Sequence, residues 1–121
     1  MTMQRQALGK SGEDAAVAEL ERRGYAILAR RYRAPQGEID IVARDGETIV
    51  FVEVKAKETV EFGTAAEAVT AHKQRKVISV AVDYLARHRL IRSPCRFDVV
   101  TIDGVGAQAV LTYYRAAFSA S

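Results

Sequence analysis

Two neighbouring apolar segments carry acidic and basic side chains at spacings that suit phosphate chemistry. Residues 37–57 read GEIDIVARDGETIVFVEVKAK, with Glu38 and Asp40 in the first segment and Glu53 and Lys55 in the second. Hard cations such as Mg²⁺ take one or two carboxylates, and water and substrate phosphates complete the shell. A lysine beside such a site can stabilise a phosphate or position an attacking water. These residue types therefore indicate a metal or phosphate site.

The two segments are predicted to pair as a β-hairpin, because Asp45-Gly46 lies between two apolar runs. Side chains alternate between the two faces of a strand, so Phe51, Glu53, Lys55 and Lys57 should share one face of the second strand, and Val50, Val52, Val54 and Ala56 the other. In the first strand Glu38, Asp40 and Val42 should share a face, opposed to Ile39 and Ile41. A two-residue turn at Asp45-Gly46 fixes the register of the two strands. In this register Asp40 lies diagonal to Glu53 on one face, about 7–8 Å away between backbones. Two carboxylates at that distance can reach one cation between them. Glu38 would lie directly opposite Glu53, a repulsion that Lys55 or a divalent metal could offset.

A third carboxylate, Glu13, lies in a predicted helix. It precedes Ala16, Val17 and Leu20 by three, four and seven residues, which places it on the apolar stripe of that helix. Two roles fit this position. An acid near a helix N-terminus stabilises the helix by about 0.3–1 kcal/mol, and the same side chain could instead point into the carboxylate site.

Each acidic residue also has an ordinary explanation. A lone strand carboxylate is usually exposed or paired with a base, and Glu38 is as well placed to pair with an arginine as to act directly. Glu-x-Lys alone is common in amphipathic strands. The combination of Asp40 in one strand with Glu53 and Lys55 in the next, all on one face, is more specific.

The rest of the chain supplies elements that could position this face. We predict a flexible tail at 1–10, a helix from Ser11 that ends at Gly24, and a helix at 64–88 that Thr70 could interrupt and cap. Residues 58–63 are predicted to be irregular. Strands are predicted at 25–33, 38–44, 47–57, 95–102 and 109–115. The order αβββαββ predicts a single α/β domain over 1–121, a mixed β-sheet flanked by helices.

The charge is mildly basic overall but unevenly distributed. Net charge is +3, and the basic residues form two clusters. Such clusters suit a polyanion, although a solvated face is the commoner explanation of any one of them. The clusters consist of Arg22, Arg23, Arg30, Arg31 and Arg33, and of Lys73, Arg75, Lys76, Arg87, Arg89, Arg92 and Arg96.

Composition limits the class of protein. Residues of the AVILMFWYC set make up 49% of the 121 residues, enough for a core. Nothing approaches 18 consecutive apolar residues, and MTMQRQALGK has no signal-peptide pattern. Cys95 is the single cysteine, so no intramolecular disulfide can form, and we expect it to be a small core residue. We therefore expect a cytoplasmic protein that does not act in a membrane.

The sequence resembles a known family. GEDAAVAELERRGYAIL, GEIDIVARDGETIVFVEVKAK, the helix from His72 to Leu85, and PCRFDVVTI are similar to segments of the UPF0102 (YraN-type) family, and together they cover most of residues 11–102. That family resembles the restriction-endonuclease-like nucleases, particularly archaeal Holliday-junction resolvases, whose pattern is an acid followed by (D/E)xK. Asp40, Glu53 and Lys55 match this motif, and Glu13 matches the helix acid.

The resemblance implies a Mg²⁺-dependent endonuclease, with Mn²⁺ as a substitute, that acts on branched or structured DNA. Asp40 and Glu53 would hold the metal, Glu13 would hold a second ion or orient a water, and Lys55 would complete the catalytic set. We expect nucleic-acid contacts from basic residues around this face, and specificity from the fold itself or from a homodimer. The expected contacts are Arg30, Arg31, Arg33, Lys57, Lys73 and Lys76.

Two other classes of function remain open at this point. One is a nucleic-acid-binding module of the same fold that does not cleave. The other is a protein-interaction subunit whose basic clusters are solvated faces, which predicts no salt-dependent affinity for DNA. A pure binder gains nothing from carboxylates near phosphate, so the acidic set favours the nuclease.

Overall fold

A computed structural model describes residues 2–57, 68–104 and 106–120, with side chains from Gly12 onward. Its elements are α1 (Thr2–Arg22), β1 (Ala26–Ala34), β2 (Gly37–Asp45), β3 (Thr48–Lys57), α2 (Ala71–Arg87), β4 (Cys95–Asp103) and β5 (Val110–Phe118), with a 3₁₀ turn at Gly106–Gln108. This order confirms the predicted α/β class. The predicted irregular segment at 58–63 and the first predicted helical residues, 64–67, lie outside the described residues.

Helix α1 begins nine residues earlier than predicted. The backbone is helical from Thr2, so the predicted helix start at Ser11 is wrong. Residues 2–10 contain no proline and several good helix formers, so nothing in them stops the helix. The predicted end is confirmed. Gly24 has φ +86°, and Tyr25 donates its amide to the Leu20 carbonyl at 3.0 Å, as in a Schellman motif.

The five strands form one mixed sheet in the order β1-β2-β3-β4-β5. The β3–β4 pair is parallel and the other three pairs are antiparallel. Because parallel neighbours need a crossover, the chain leaves β3, passes through α2 and returns to the sheet as β4. This connection places the N-terminus of α2 close to the carboxyl end of β3.

The helices cover opposite faces of the sheet. Ala16 and Leu20 of α1 pack with Val50, Val52 and their neighbours, which confirms the predicted apolar face of β3. Val77, Val80 and Tyr84 of α2 pack on the other face, with Phe51 and Phe97. No helix in the part of the chain that the structure describes is long and apolar enough to cross a membrane.

The β2–β3 register differs from the prediction by one residue in each strand. Asp45 pairs with Thr48, so the two turn residues are Gly46 and Glu47 rather than Asp45 and Gly46. Gly46 has φ +61° at the first turn position, whereas Glu47 has no positive φ, as expected for a type II′ turn. A shift of one residue in each strand keeps every side chain on its predicted face of β3. It also brings Asp40 opposite Glu53 instead of diagonal to it.

Two further expectations about side-chain placement are wrong. Ile39 packs in the α2 cluster, although strict alternation would place it with Ile41 on the α1 face. Regular alternation therefore breaks at Asp40, between these two residues. Cys95 is exposed rather than in the core, because it is the first residue of β4, at the edge of the covered part of the sheet.

Candidate active site

Asp40 and Glu53 lie where the β2–β3 ladder ends. The last backbone pair is Ile41 with Val52, and beyond it the carboxylates replace backbone acceptors. The Asp40 amide donates to Glu53 Oε2 at 3.3 Å, and the Val54 amide donates to Asp40 Oδ2 at 2.8 Å. Each carboxylate thus bonds the backbone of the opposite strand, so both are held facing each other. We call this pair the carboxylate fork.

Glu53 of the fork is buried and Asp40 is half-buried, so ionising both carboxylates is costly. The Glu53 side chain is 5% exposed. Burial, and then the charge of Asp40, raise the pKa of Glu53 to about 7. Burial also raises the pKa of Asp40, against the lowering effect of its bond from Val54. Two carboxylates that are costly to ionise together form a site that a cation would stabilise.

Two lysines border the fork. Lys73, in the first turn of α2, places its Nζ 3.5 Å from Glu53 Oε1. Thr70 caps this helix by accepting the Lys73 amide at 3.2 Å, which confirms the predicted cap and fixes the helix start beside the fork. Lys55 is exposed, and among the described residues it forms no ion pair. Lys73 was predicted only as a phosphate contact, so its role as the counter-ion of Glu53 was missed.

A cavity of about 350 Å³ opens at this point of the molecule. Both fork carboxylates and both lysines line it, so the chemically active groups share one solvent-connected space. The remaining wall comes from β3 and from the segment that leads into α2. The lining residues are Asp40, Glu53, Val54, Lys55, Ala68, Val69, Thr70 and Lys73.

Glu13 is buried, as its place on the apolar stripe predicted, and it is held by two arginines. It is 6% exposed, and its oxygens accept from Arg30 Nε at 2.9 Å and from Arg31 Nε at 3.0 Å. Consecutive strand residues normally face opposite ways. Arg31 has φ +52°, a left-handed conformation, at the point where two consecutive arginines reach one carboxylate.

Gly12 lets α1 approach the sheet, since a Cβ there would lie 3.2 Å from the Ala56 Cβ.

The charge of Glu13 acts on the fork, but Glu13 does not join it as a ligand in this arrangement. Its negative charge contributes to the raised pKa of Asp40. Among the described residues, however, no group of three or more His, Cys, Asp or Glu side chains is arranged to hold a metal. The fork alone supplies two carboxylates, which is the number that Mg²⁺ commonly takes from a protein. The donor set therefore fits such an ion.

Glu38 belongs to an ion pair, the alternative left open by its sequence position. Its Oε2 accepts from Arg33 Nε at 3.0 Å on the exposed part of the hairpin. The predicted repulsion between Glu38 and Glu53 does not arise, because the shifted register moves Glu38 away from Glu53.

The residues predicted to contact nucleic acid fall into two groups. Arg30, Arg31 and Arg33 are occupied by Glu13, Asp14 and Glu38, although their side chains stay 41–74% exposed. Lys73 and Lys76 are exposed at the N-terminal end of α2, and Lys57 is half-buried at the end of β3. Of these six residues, Lys73 is the one that lines the cavity.

Arg96 does not belong to an exposed basic cluster. Its side chain is 11% exposed and donates to Asp98 at 3.2 Å, to Asp45 at 2.8 Å and to the Tyr25 hydroxyl at 2.9 Å. Asp98 is fully buried and also accepts from the Tyr113 hydroxyl. This polar network ties β4, β5 and the β2–β3 turn together. Sequence reasoning missed it, because Asp98 is hidden within the apolar run of CRFDVVTI.

The fold and the fork define an α/β protein with a mixed sheet and a pair of facing carboxylates, one buried and one half-buried, at the end of a β-hairpin. The model of the uncharacterised protein family UPF0102 matches residues 12–102. A UPF0102 protein of Geobacter metallireducens is 44% identical over 98% of this chain and 97% of its own length. Another, from Syntrophotalea carbinolica, is 45% identical over 98% and 96%. The chain belongs to the UPF0102 family, which confirms the resemblance.

Proposed function

We propose that this chain is a cytoplasmic, Mg²⁺-dependent phosphodiesterase that cleaves branched or otherwise structured DNA. The proposal rests on the carboxylate fork, in which the buried Glu53 and the half-buried Asp40 lie beside the exposed Lys55 in one open cavity. A structural ion pair would bring a matched base to each acid. Here, among the described residues, Lys73 is the one base within ion-pair distance of the fork, and it pairs with Glu53 and not with Asp40.

Asp40 and Glu53 would hold the ion, and Mn²⁺ suits the same oxygens. When bound, the ion supplies positive charge that neutralises the attacked phosphate. Lys55, with no competing ion pair among the described residues, would position the attacking water or donate to the phosphate oxygens as charge develops on them. Lys73 is free to turn to a phosphate once a cation takes over its place beside Glu53.

Glu13 would hold a second ion or orient a water, but only after a rearrangement. Both of its oxygens are bound to arginines, so either role requires the Arg30 and Arg31 bonds to open. Both guanidinium groups are half exposed and could instead contact phosphates of a bound DNA. We therefore assign Glu13 a supporting role that depends on bound DNA.

A second candidate is a nucleic-acid-binding module of the same fold that does not cleave. Two observations favour the non-cleaving module. Among the described residues no group of three potential metal ligands is arranged to hold a metal, and both oxygens of Glu13 are hydrogen-bonded to arginines. A third class, a protein-interaction subunit, has no such support from the site. Binding without cleavage separates the second candidate from the nuclease.

The experiment is incubation with labelled four-way junctions, flaps and duplexes, in Mg²⁺, Mn²⁺ and EDTA. The nuclease predicts cleavage of at least one branched substrate with either metal and none in EDTA. Asp40→Asn, purified identically, controls for contaminating nucleases and should be inactive. Salt-dependent binding to junctions, with no product in either metal, would instead establish the non-cleaving module.

A further inference from the structure

A second cavity lies at the opposite end of α2 from the carboxylate fork. Its volume is about 500 Å³, and its walls come from the β2–β3 turn and from the loop between α2 and β4. We call it the arginine cavity. Its lining residues are Arg44, Gly46, Glu47, Ile49, Arg89, Leu90, Arg92, Ser93 and Pro94.

The arginine cavity has an excess of positive charge. Arg44, Arg89 and Arg92 are exposed, and Glu47 is the one acid in the lining. Within the described part of the chain, none of these three arginines forms an ion pair, unlike Arg33 or Arg96, which are held by carboxylates. Arginine residues that form no ion pair and line one concave space can supply the paired N–H donors that phosphate oxygens accept.

The backbone adds an independent observation. Arg89 has φ +58° and is the left-handed residue of a Schellman motif, in which Leu90 donates to Leu85 at 2.7 Å and Arg89 donates to Ala86 at 3.3 Å. This position normally holds glycine, because any Cβ is strained there. Attraction to the helix C-terminus does not require an arginine at this residue, since Arg87 already lies in the last turn. Because Arg89 combines a strained backbone conformation with a solvent-facing cationic side chain, we infer that this side chain has a functional role.

We propose that the arginine cavity binds a phosphate group of the same nucleic acid that reaches the carboxylate fork. The inference rests on the proposed function. The 17 residues of α2 span about 25 Å, so one phosphate cannot occupy both places. At about 3.4 Å per nucleotide step along one strand, the separation corresponds to roughly seven steps. Arg75 and Lys76 are exposed on the helix between the two cavities and extend the positive surface.

The test is binding in EDTA, which removes cleavage from the measurement. The probes are inorganic phosphate, a nucleoside monophosphate and a four-way DNA junction, followed by backbone amide chemical shifts and by fluorescence anisotropy. The variant is Arg44→Gln/Arg92→Gln. The control is Arg22→Gln/Arg23→Gln, which removes the same charge from the end of α1, on the opposite face of the sheet.

We expect the DNA to shift the amides of Arg89 and Ser93. The Arg44→Gln/Arg92→Gln variant should reduce the slope of log affinity against log salt by about 0.9 for each phosphate released, about 3.5-fold in affinity over a fourfold salt range. The control variant should keep the wild-type slope. If a monophosphate saturates the cavity but DNA does not shift the amides of the cavity residues, the assignment of the cavity to nucleic acid would be overturned. DNA binding with equal slopes in both variants would overturn the arginine cavity and leave the proposed nuclease standing.

Discussion

The raised pKa of Glu53 makes stability depend on pH in a direction opposite to that of an ordinary paired carboxylate. Its pKa is about 7 in the folded chain against an ordinary value of 4.5. The folded state therefore binds this proton more tightly than the unfolded state. The resulting stabilisation is fully present below pH 4.5 and is lost as pH rises through 7. The difference of 2.5 pH units corresponds to about 3 kcal/mol.

Glu53→Gln imitates the protonated side chain at every pH and keeps an acceptor for the Asp40 amide. We expect the variant to match the wild type near pH 4.5 and to exceed its free energy of unfolding by about 3 kcal/mol near pH 7.5, in EDTA. Urea unfolding at pH intervals of half a unit measures this difference. The comparison with wild type cancels the titration of groups that do not interact with Glu53, whereas Asp40, whose charge acts on Glu53, contributes to the difference.

Glu47→Gln is the matched control, because it removes an exposed carboxylate from the turn of the same hairpin. Its difference from wild type should stay within about 0.5 kcal/mol across the same range. A difference in unfolding free energy between Glu53→Gln and wild type that does not change with pH would show that the pKa of Glu53 is not raised in the folded chain. It would mean that Glu53 is no harder to ionise in the folded chain than in the unfolded one.

Further predictions concern the metal, catalysis and the buried network. Asp40→Asn should leave the melting temperature in EDTA unchanged or raise it. It should also reduce the stabilisation by Mg²⁺, which in wild type is about 2.7 kcal/mol at a hundred times the dissociation constant. A clear drop in the melting temperature of Asp40→Asn in EDTA, with no metal response in wild type, would exclude the metal site. Lys55→Ala should abolish turnover but keep DNA affinity within a few-fold, as checked by single-turnover cleavage and anisotropy; equal loss of both would reduce Lys55 to a phosphate anchor. Log affinity for DNA should fall with log salt at about −0.9 for each neutralised phosphate, and a flat response in gel-shift titrations would exclude phosphate-based binding. Asp98→Ala should cost about 3–5 kcal/mol in urea unfolding, because it removes the fully buried carboxylate that accepts from Arg96 and Tyr113 and leaves Arg96 with Asp45 as its remaining acidic partner. A loss under 1 kcal/mol would contradict that role.

The class of fold and the faces of β3 could be predicted from the sequence because they depend on local patterns. Alternation in residues 48–57 separates Val50 and Val52 from Phe51 and Glu53, and the structure places these residues on the two predicted faces. The register could not be predicted with the same certainty. An Asp-Gly dipeptide is compatible with more than one two-residue turn, and here the glycine takes the first turn position.

The environment of each charged residue depends on tertiary contacts that no local pattern contains. Arg30, Arg31 and Arg96 look alike in sequence as members of basic clusters, yet Arg96 is buried and the other two converge on Glu13. Where the two arginines converge on Glu13, Arg31 has a left-handed backbone conformation. Arg31 is neither glycine nor asparagine, so the sequence does not indicate this conformation. The Arg96 side chain is held away from solvent because it donates to Asp98, which lies two residues further along the same strand.

We propose that the carboxylate fork supports metal-dependent cleavage. Single-turnover cleavage of a four-way DNA junction with excess protein tests this proposal directly. Wild type, Asp40→Asn and Lys55→Ala should be compared in Mg²⁺, in Mn²⁺ and in EDTA, at a protein concentration where anisotropy shows the junction fully bound. Metal-dependent cleavage at the fork predicts product from wild type with either metal, none in EDTA, and at least a hundredfold lower rate in both variants, about 3 kcal/mol in barrier. Full binding with no product from wild type in either metal, or equal rates in wild type and Asp40→Asn, would contradict it.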